Sequence, residues 1–225
     1  FELIWDEEFG QHLVTETNIY VEQERRNNQP PPFAAKWMPV DVPTMKAFLG
    51  LCLCMGVLRL PSRNDYWRQK KRMFKTNFNT IMSRDHFNQI WRYMHVHNNE
   101  AAPPPKPDRL QKVRWMINYL NVKFMSLYMP NGDVTIDESM VKYKGRLSFR
   151  QYLPAKPIKW GIKVWSLCES TTGYMRRFQV YTGKEAYNTG KGLEHKVVND
   201  LLGHLQTQEH QGIHGYFLYK PLLIY

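Results

Sequence analysis

The chain has 225 residues, of which 43% are hydrophobic and 14% aromatic, and a formal net charge of +11. That length suits one large domain or two small ones, and that composition excludes a disordered chain. No run of about 18 apolar residues occurs, which argues against a membrane-spanning helix. The Lys and Arg excess favours a polyanionic partner, nucleic acid before an acidic membrane, because no basic amphipathic helix stands out.

The opening "FELIWDEEFG" is acidic and amphipathic, unlike a secretory leader. Its start on Phe1 rather than Met reads as a fragment. Phe1, Ile4, Trp5, Phe9, Leu13 and Val14 recur at helical spacing, so a helix is expected up to Arg26. "NNQPPPFAA" interrupts it as a loop. A second helix begins at Val42-Pro43-Thr44 and carries Met45, Phe48, Leu49, Cys52 and Met55. The three cysteines are an odd, small set that suits a reducing compartment. Cys52 and Cys54 lie in an apolar run and read as core packing rather than metal ligands.

"MSRDHFNQIWRYMHV" predicts a third helix capped by Ser83, with Phe87, Ile90, Trp91 and Met94 facing inward. The Pro-rich stretch "NNEAAPPPKPDR" is a linker or exposed loop. A fourth helix follows, with Leu110, Val113, Ile117, Leu120, Phe124 and Leu127 on its apolar face. "PNGD" then turns the chain. After Gly132 the period changes from helix to strand. "VTIDES", "KWGIKVWSLCES" and "YMRRFQVYTGK" read as three strands, "GLEHKVVNDLLGHLQTQ" as a helix and "GYFLY" as a fourth strand. The expected fold is therefore α+β or α/β: a helical region over 1–132, then 133–225 as a partial RNase H-like mixed sheet in β-β-β-α-β order.

Asp137 and Glu138 end the first predicted strand, and a basic tract follows. From Ser139 to Arg177 the cations are Lys142, Lys144, Arg146, Arg150, Lys156, Lys159, Lys163, Arg176 and Arg177, against one acid, Glu169. Tyr143, Phe149, Tyr152, Trp160 and Trp165 are interleaved. Two readings stand at this point. One is a carboxylate metal site facing a polyanion, because hard divalent ions take oxygen ligands and paired ions activate phosphoester chemistry. The other is an ordinary strand end beside a solvated basic face. "RQKKRMFK", from Arg68 to Lys75, is a second cluster, readable as a phosphate contact or a nuclear import signal. His95, His97, His204, His210 and His214 form no regular ligand spacing, so zinc is not expected.

The words of the sequence carry more than its periodicity. Asp108-Arg109-Leu110 opens a helix; Ile136 to Met140 reads I-D-E-S-M, Lys144 to Arg146 reads K-G-R, and Tyr152 to Lys163 reads Y-x-P-x-K-P-x-K-x-G-I-K. "MGVLRLPSRNDYW" precedes them, and "FQVYTGK" and "GLEHKVVNDLL" follow. Together these closely resemble the piggyBac transposase family, over nearly the whole chain to about Tyr219. The resemblance implies cut-and-paste DNA transposition by an RNase H-like DDE-type fold holding Mg²⁺ or Mn²⁺ on three Asp residues. It further implies a helical region for dimerisation and DNA binding, work in the nucleus, and a cysteine-rich zinc-binding end to the family's full-length chains.

The first catalytic Asp maps to Asp137, which is thereby also the candidate metal ligand; Glu138 belongs to the motif without that role. The second Asp should follow Gly215-Tyr216, where this chain reads Lys220-Pro221, and no acid occurs after Glu209. Asp200, on the helix, is a poor substitute. The sequence thus points to a truncated, transposase-derived DNA-binding protein that does not cut DNA, with no bound cofactor. Its expected contacts are phosphates at Lys142, Lys144, Arg146, Arg150, Lys156, Lys159 and Lys163. A duplex is the expected partner and a homodimer the assembly the family suggests; neither a membrane nor a small-molecule substrate is expected. Two alternatives stay open: an active DNA-cleaving enzyme whose missing carboxylates lie in further sequence, and a poorly folded fragment with an exposed strand edge.

Overall fold

The computed structural model describes residues 2–27, 36–68, 77–130, 133–183 and 193–206. Six α-helices and four strands are described: α1 (Glu7–Asn27), α2 (Val42–Val57), α3 (Phe78–Ile81), α4 (Arg84–Tyr93), α5 (Gln111–Leu127), β1 (Val134–Lys142), β2 (Gln151–Tyr152), β3 (Trp160–Glu169), β4 (Met175–Val180) and α6 (Leu193–Gln206). The mixed α+β class expected from the sequence is observed. The predicted strand "GYFLY" lies outside the described residues, as do Lys220-Pro221 and most of "RQKKRMFK". None of the described helices is long and apolar enough to cross a membrane. The chain divides into two compact units, and the division falls between Met116 and Ile117, inside α5.

In the first unit, helix starts follow capping chemistry. Asp41 accepts the Thr44 N–H at 2.8 Å to cap α2, and Ser83 accepts the His86 N–H at 3.2 Å to cap α4. Phe48 on α2 packs against Phe87 on α4, with ring centroids 4.8 Å apart, and Met45, Leu51 and Ile90 complete a fully buried centre. The 3₁₀ turn Arg63–Trp67 plugs this core. Tyr66 donates its hydroxyl to the Leu58 carbonyl, and Trp67 donates its indole N–H to the Met82 carbonyl at 2.8 Å. The D-Y-W motif is thus a packing device.

Three sequence expectations change here. Cys54 is exposed and Cys52 half-buried, because residues two apart on a helix point to different sides and only one can face the core. Burial pushes the Cys52 thiol up to about 11. Trp91 on α4 and Met94 just past its end are exposed, and Gln89 and Tyr93 take buried places instead. The α5 surface also departs from its apolar periodicity: Tyr119 is buried and Leu127 is exposed.

The second unit is an antiparallel sheet. β3 is central; β1 pairs along one edge, while β2 and β4 pair with β3 at different positions. The two-residue β2 had no sequence signal. Cross-strand pairs place Val134, Ile136, Trp165 and Leu167 on one face, where Val197, Leu201 and Leu202 of α6 and Tyr181 complete a buried cluster. The other face carries Phe178 of β4 against α5. There the Asn121 side chain donates to the Phe178 carbonyl at 3.0 Å and accepts its N–H at 2.8 Å, and Phe124 packs on the Phe178 ring. Gly161 in β3 has no substitute: a Cβ there would run into the Val141 carbonyl of β1.

Candidate functional site

Asp137 sits in the middle of β1, opposite Ser166, rather than at a strand end. The sequence reading closed the strand at Ser139, but pairing continues through Met140, Val141 and Lys142 against Lys163, Ile162 and Gly161. Side chains alternate along a strand, so the neighbouring acids part. Asp137 shares the α5 face with Ser166 and Cys168, and Glu138 shares the α6 face with Lys163 and Trp165.

The two carboxylates meet different surroundings. Asp137 accepts the Glu138 N–H at 2.7 Å. Burial, and secondarily the Asp137 charge, raise the Cys168 thiol above its ordinary value. Among the described residues no group of three or more His, Cys, Asp or Glu side chains could hold a metal ion. Asp200, which accepts from Gln179 on β4, belongs to the α6 side of the sheet and so does not join Asp137. The described residues therefore do not form a multi-carboxylate site for Mg²⁺ or Mn²⁺.

Glu138 is a counter-ion. Its carboxylate pairs with the Lys163 ammonium, and the Lys156 ammonium stands 4.0 Å from it and donates to the Glu138 carbonyl at 3.1 Å. The Lys163 side chain is only 14% exposed and lies over the Trp165 ring at 4.2 Å. The sequence missed this role, because only the β1–β3 register puts Glu138 and Lys163 on one face.

The remaining cations sort by their contacts. Arg176 is 4% exposed and donates to the Tyr128 carbonyl at 2.7 Å and the Met125 carbonyl at 3.5 Å, capping the end of α5. Arg177 donates to the Asp200 carbonyl at 2.8 Å, and burial lowers its pKa. By contrast Lys142, Lys144, Arg146, Arg150 and Lys159 are exposed. Strand register gathers this group at one end of the sheet, where Lys142 pairs with Gly161 and Gly161 with Gln151. Lys142, Lys144, Arg146 and Lys159 pair with no carboxylate among the described residues. At the same end Tyr152 pairs with Trp160 across the strands, ring centroids 4.6 Å apart, and the Arg150 guanidinium lies 4.8 Å over the Trp160 ring.

Two motif elements have local reasons. At Gly145 of K-G-R a Cβ would meet the hydroxyl end of the exposed Tyr143 side chain, which would have to swing aside. Asp108 of D-R-L starts α5: it accepts the Leu110 N–H at 2.9 Å and takes two bonds from Arg114, at 2.7 and 2.8 Å. Of the histidines, His95 stacks on Tyr20 and His97 faces Gln111; the positions 210 and 214 lie outside the described residues.

The fold and site define a mixed α+β chain with one strand-borne Asp and an exposed basic edge, and the comparisons name its family. A family model described as Transposase IS4 matches residues 1–218. Human PiggyBac transposable element-derived protein 3 is 35% identical over 156 residues, 66% of this chain and 26% of that protein. Human PiggyBac transposable element-derived protein 2 is 28% identical over 184 residues, 81% of this chain and 29% of that protein. The cryo-EM structure of a piggyBac transposase synaptic complex with hairpin DNA superposes with a TM-score of 0.78 at 26% identity, over 90% of this chain and 42% of that one. The chain belongs to the piggyBac transposase family. It spans less than a third of the length of these two curated relatives.

Proposed function

We propose that this chain is a transposase-derived DNA-binding protein that grips the phosphate backbone of a duplex and works in the nucleus. The observation that carries the reading is the set of exposed cations at one end of the sheet, Lys142, Lys144, Arg146, Arg150 and Lys159, in a family member whose structural relative is a complex with DNA. Lys and Arg on phosphates release condensed counterions, so affinity falls with salt. Such contacts position DNA without reading its sequence. Lys156 and Lys163, turned onto Glu138, belong to the support of this surface rather than to its contact face.

The β1-β3-β4 meander followed by α6 supports an RNase H-like reading of the second unit. Of the three Asp residues that the family resemblance implies, only Asp137 maps onto the described residues. We propose that this stretch by itself does not cut DNA. A second reading follows from its coverage of relatives: in a longer protein that supplies further acids, Asp137 is the first carboxylate of an active site.

The test is a titration of labelled duplex DNA at several salt concentrations. The expected log–log slope is about −4.5, for five cations at about 0.9 each. It should fall by about 1 on each of Lys144→Ala and Lys159→Ala. Absence of binding at low salt overturns the reading. For catalysis, strand cleavage with Mg²⁺ or Mn²⁺ that vanishes on Asp137→Ala would reverse the proposal.

A further inference from the structure

We infer that the exposed stack of Arg150, Trp160 and Tyr152 is a docking platform for an unpaired nucleobase, so that the basic end of the sheet prefers DNA with unpaired bases over fully paired duplex. This rests on the DNA reading above and adds a class of ligand to it.

Trp160 and Tyr152 are each 50% exposed, although each carries a large apolar ring. Their cross-strand contact at 4.6 Å holds the short β2 against β3. That role leaves about half of each residue in water. The Arg150 guanidinium, 4.8 Å over the Trp160 ring, extends the stack by a third plane. The guanidinium's hydrogen bond to the Gly145 carbonyl is long at 3.4 Å. Around these planes stand Lys142, Lys144, Arg146 and Lys159, exposed and without a carboxylate partner among the described residues. Aromatic and guanidinium planes beside a positive surface are the two parts of a single-strand site: bases stack and the backbone follows the charge. A paired base inside a duplex offers neither face to the platform.

Register also places the platform relative to Asp137. Trp160 lies on the same sheet face as Ser166, the cross-strand partner of Asp137. Six residues separate them along β3, roughly 20 Å at about 3.3 Å per residue. A strand whose unpaired base stacks on Trp160 is therefore held on the Asp137 side of the sheet.

The experiment compares two probes by fluorescence anisotropy: a blunt duplex, and the same duplex extended by about four unpaired thymidines. The chain should bind the extended probe about tenfold tighter. Trp160→Ala should remove that preference while keeping blunt-duplex affinity within about twofold, and Trp160→Phe should retain most of it. Lys144→Ala with Lys159→Ala should weaken both probes equally. Thermal melting of each variant checks that the fold persists, and Trp160→Phe answers if Trp160→Ala does not fold. Equal affinity for the two probes, or a preference that survives Trp160→Ala, overturns the stacking platform and leaves duplex binding standing. Failure to bind either probe at low salt overturns both.

Discussion

Replacing Arg176 tests whether the basic residues of the tract divide as their contacts indicate. In sequence Arg176 is one of nine cations; in the structure it is buried and caps the end of α5 through the Met125 and Tyr128 carbonyls. Helix ends carry unsatisfied carbonyls and a partial negative charge, which a guanidinium satisfies in both respects. Arg176→Met keeps much of the packing and removes the donors. Charge-assisted hydrogen bonds contribute about 1.5–3 kcal/mol, and each orphaned buried carbonyl costs about 1–3 kcal/mol. One bond is short and the other at the limit of length, so the expected loss is about 3 kcal/mol. In urea, with a slope near 2 kcal/mol per molar, the midpoint should fall by about 1.5 M. Arg176→Lys should lose roughly half as much, since an ammonium keeps the charge but not the planar fork. Below the melting transition, DNA affinity and its salt slope should be unchanged in both variants. A loss under about 1 kcal/mol in Arg176→Met would refute the capping argument. A salt slope reduced by about 1, as expected for Lys144→Ala, would show that Arg176 touches phosphate after all.

Glu138→Gln removes the carboxylate that Lys156 and Lys163 share. It should cost about 1–2 kcal/mol in urea unfolding, because the pair is mostly but not wholly buried, and should tighten DNA binding with a salt slope steeper by about 1; weaker binding would contradict the counter-ion role. Asp108→Asn tests the start of α5. The Arg114 hydrogen bond first, and the Leu110 N–H among lesser causes, hold the Asp108 carboxyl below its ordinary pKa. A depressed carboxyl stabilises the fold above the unfolded value of about 3.9, and that contribution disappears as pH falls through the folded value. The variant should therefore lose about 0.5–1 kcal/mol at pH 7, discounted because Arg114 is well exposed, and progressively less as pH falls below the unfolded value; a loss that does not shrink on acidification would rule out the charge. Gly161→Val should disrupt the β1–β3 pairing at the Val141 carbonyl and lower the melting temperature, whereas Gly173→Ala, where a Cβ meets open space but the backbone has φ +70, should cost only about 1 kcal/mol. Equal effects at the two glycines would contradict the close approach at Gly161.

What could be read from the sequence tracks how local its cause is. Helix starts at Asp41 and Ser83 follow from residues within four positions of the cap, and both were legible. The three long strands and α6 followed from apolar periodicity. Trp91 and Met94 were misplaced because Phe87 and Ile90 already fill the space beneath α4, and periodicity cannot say how wide the buried stripe is. β2 was missed because two residues carry no period. Asp137 was found through its motif, and its mid-strand seat was lost because the acidic pair was read as the strand's end, although Met140 and Val141 carry the strand on. The sorting of the cations was least accessible. Lys144 and Lys163 are equivalent as letters; only the pairing of β1 with β3 places one in water and the other on Glu138.

That pairing also separates the two halves of the I-D-E-S-M motif. Because β1 continues through the motif, Asp137 and Glu138 must face opposite sides of one sheet. Asp137 can act only toward the α5 face, where Ser166 and Cys168 lie. Glu138 acts only toward the α6 face, where it neutralises Lys163 and steadies the start of β3 behind the exposed cations. The charge available at the basic surface is thus set by Glu138 and not by Asp137. A chain in which Asp137 has no metal to hold can keep its charged edge intact, and DNA binding without cutting is physically consistent for this fold. Asp137→Asn should then leave duplex affinity within about twofold while Glu138→Gln changes it; a large loss from Asp137→Asn would mean that the carboxylate and the basic edge form a single site.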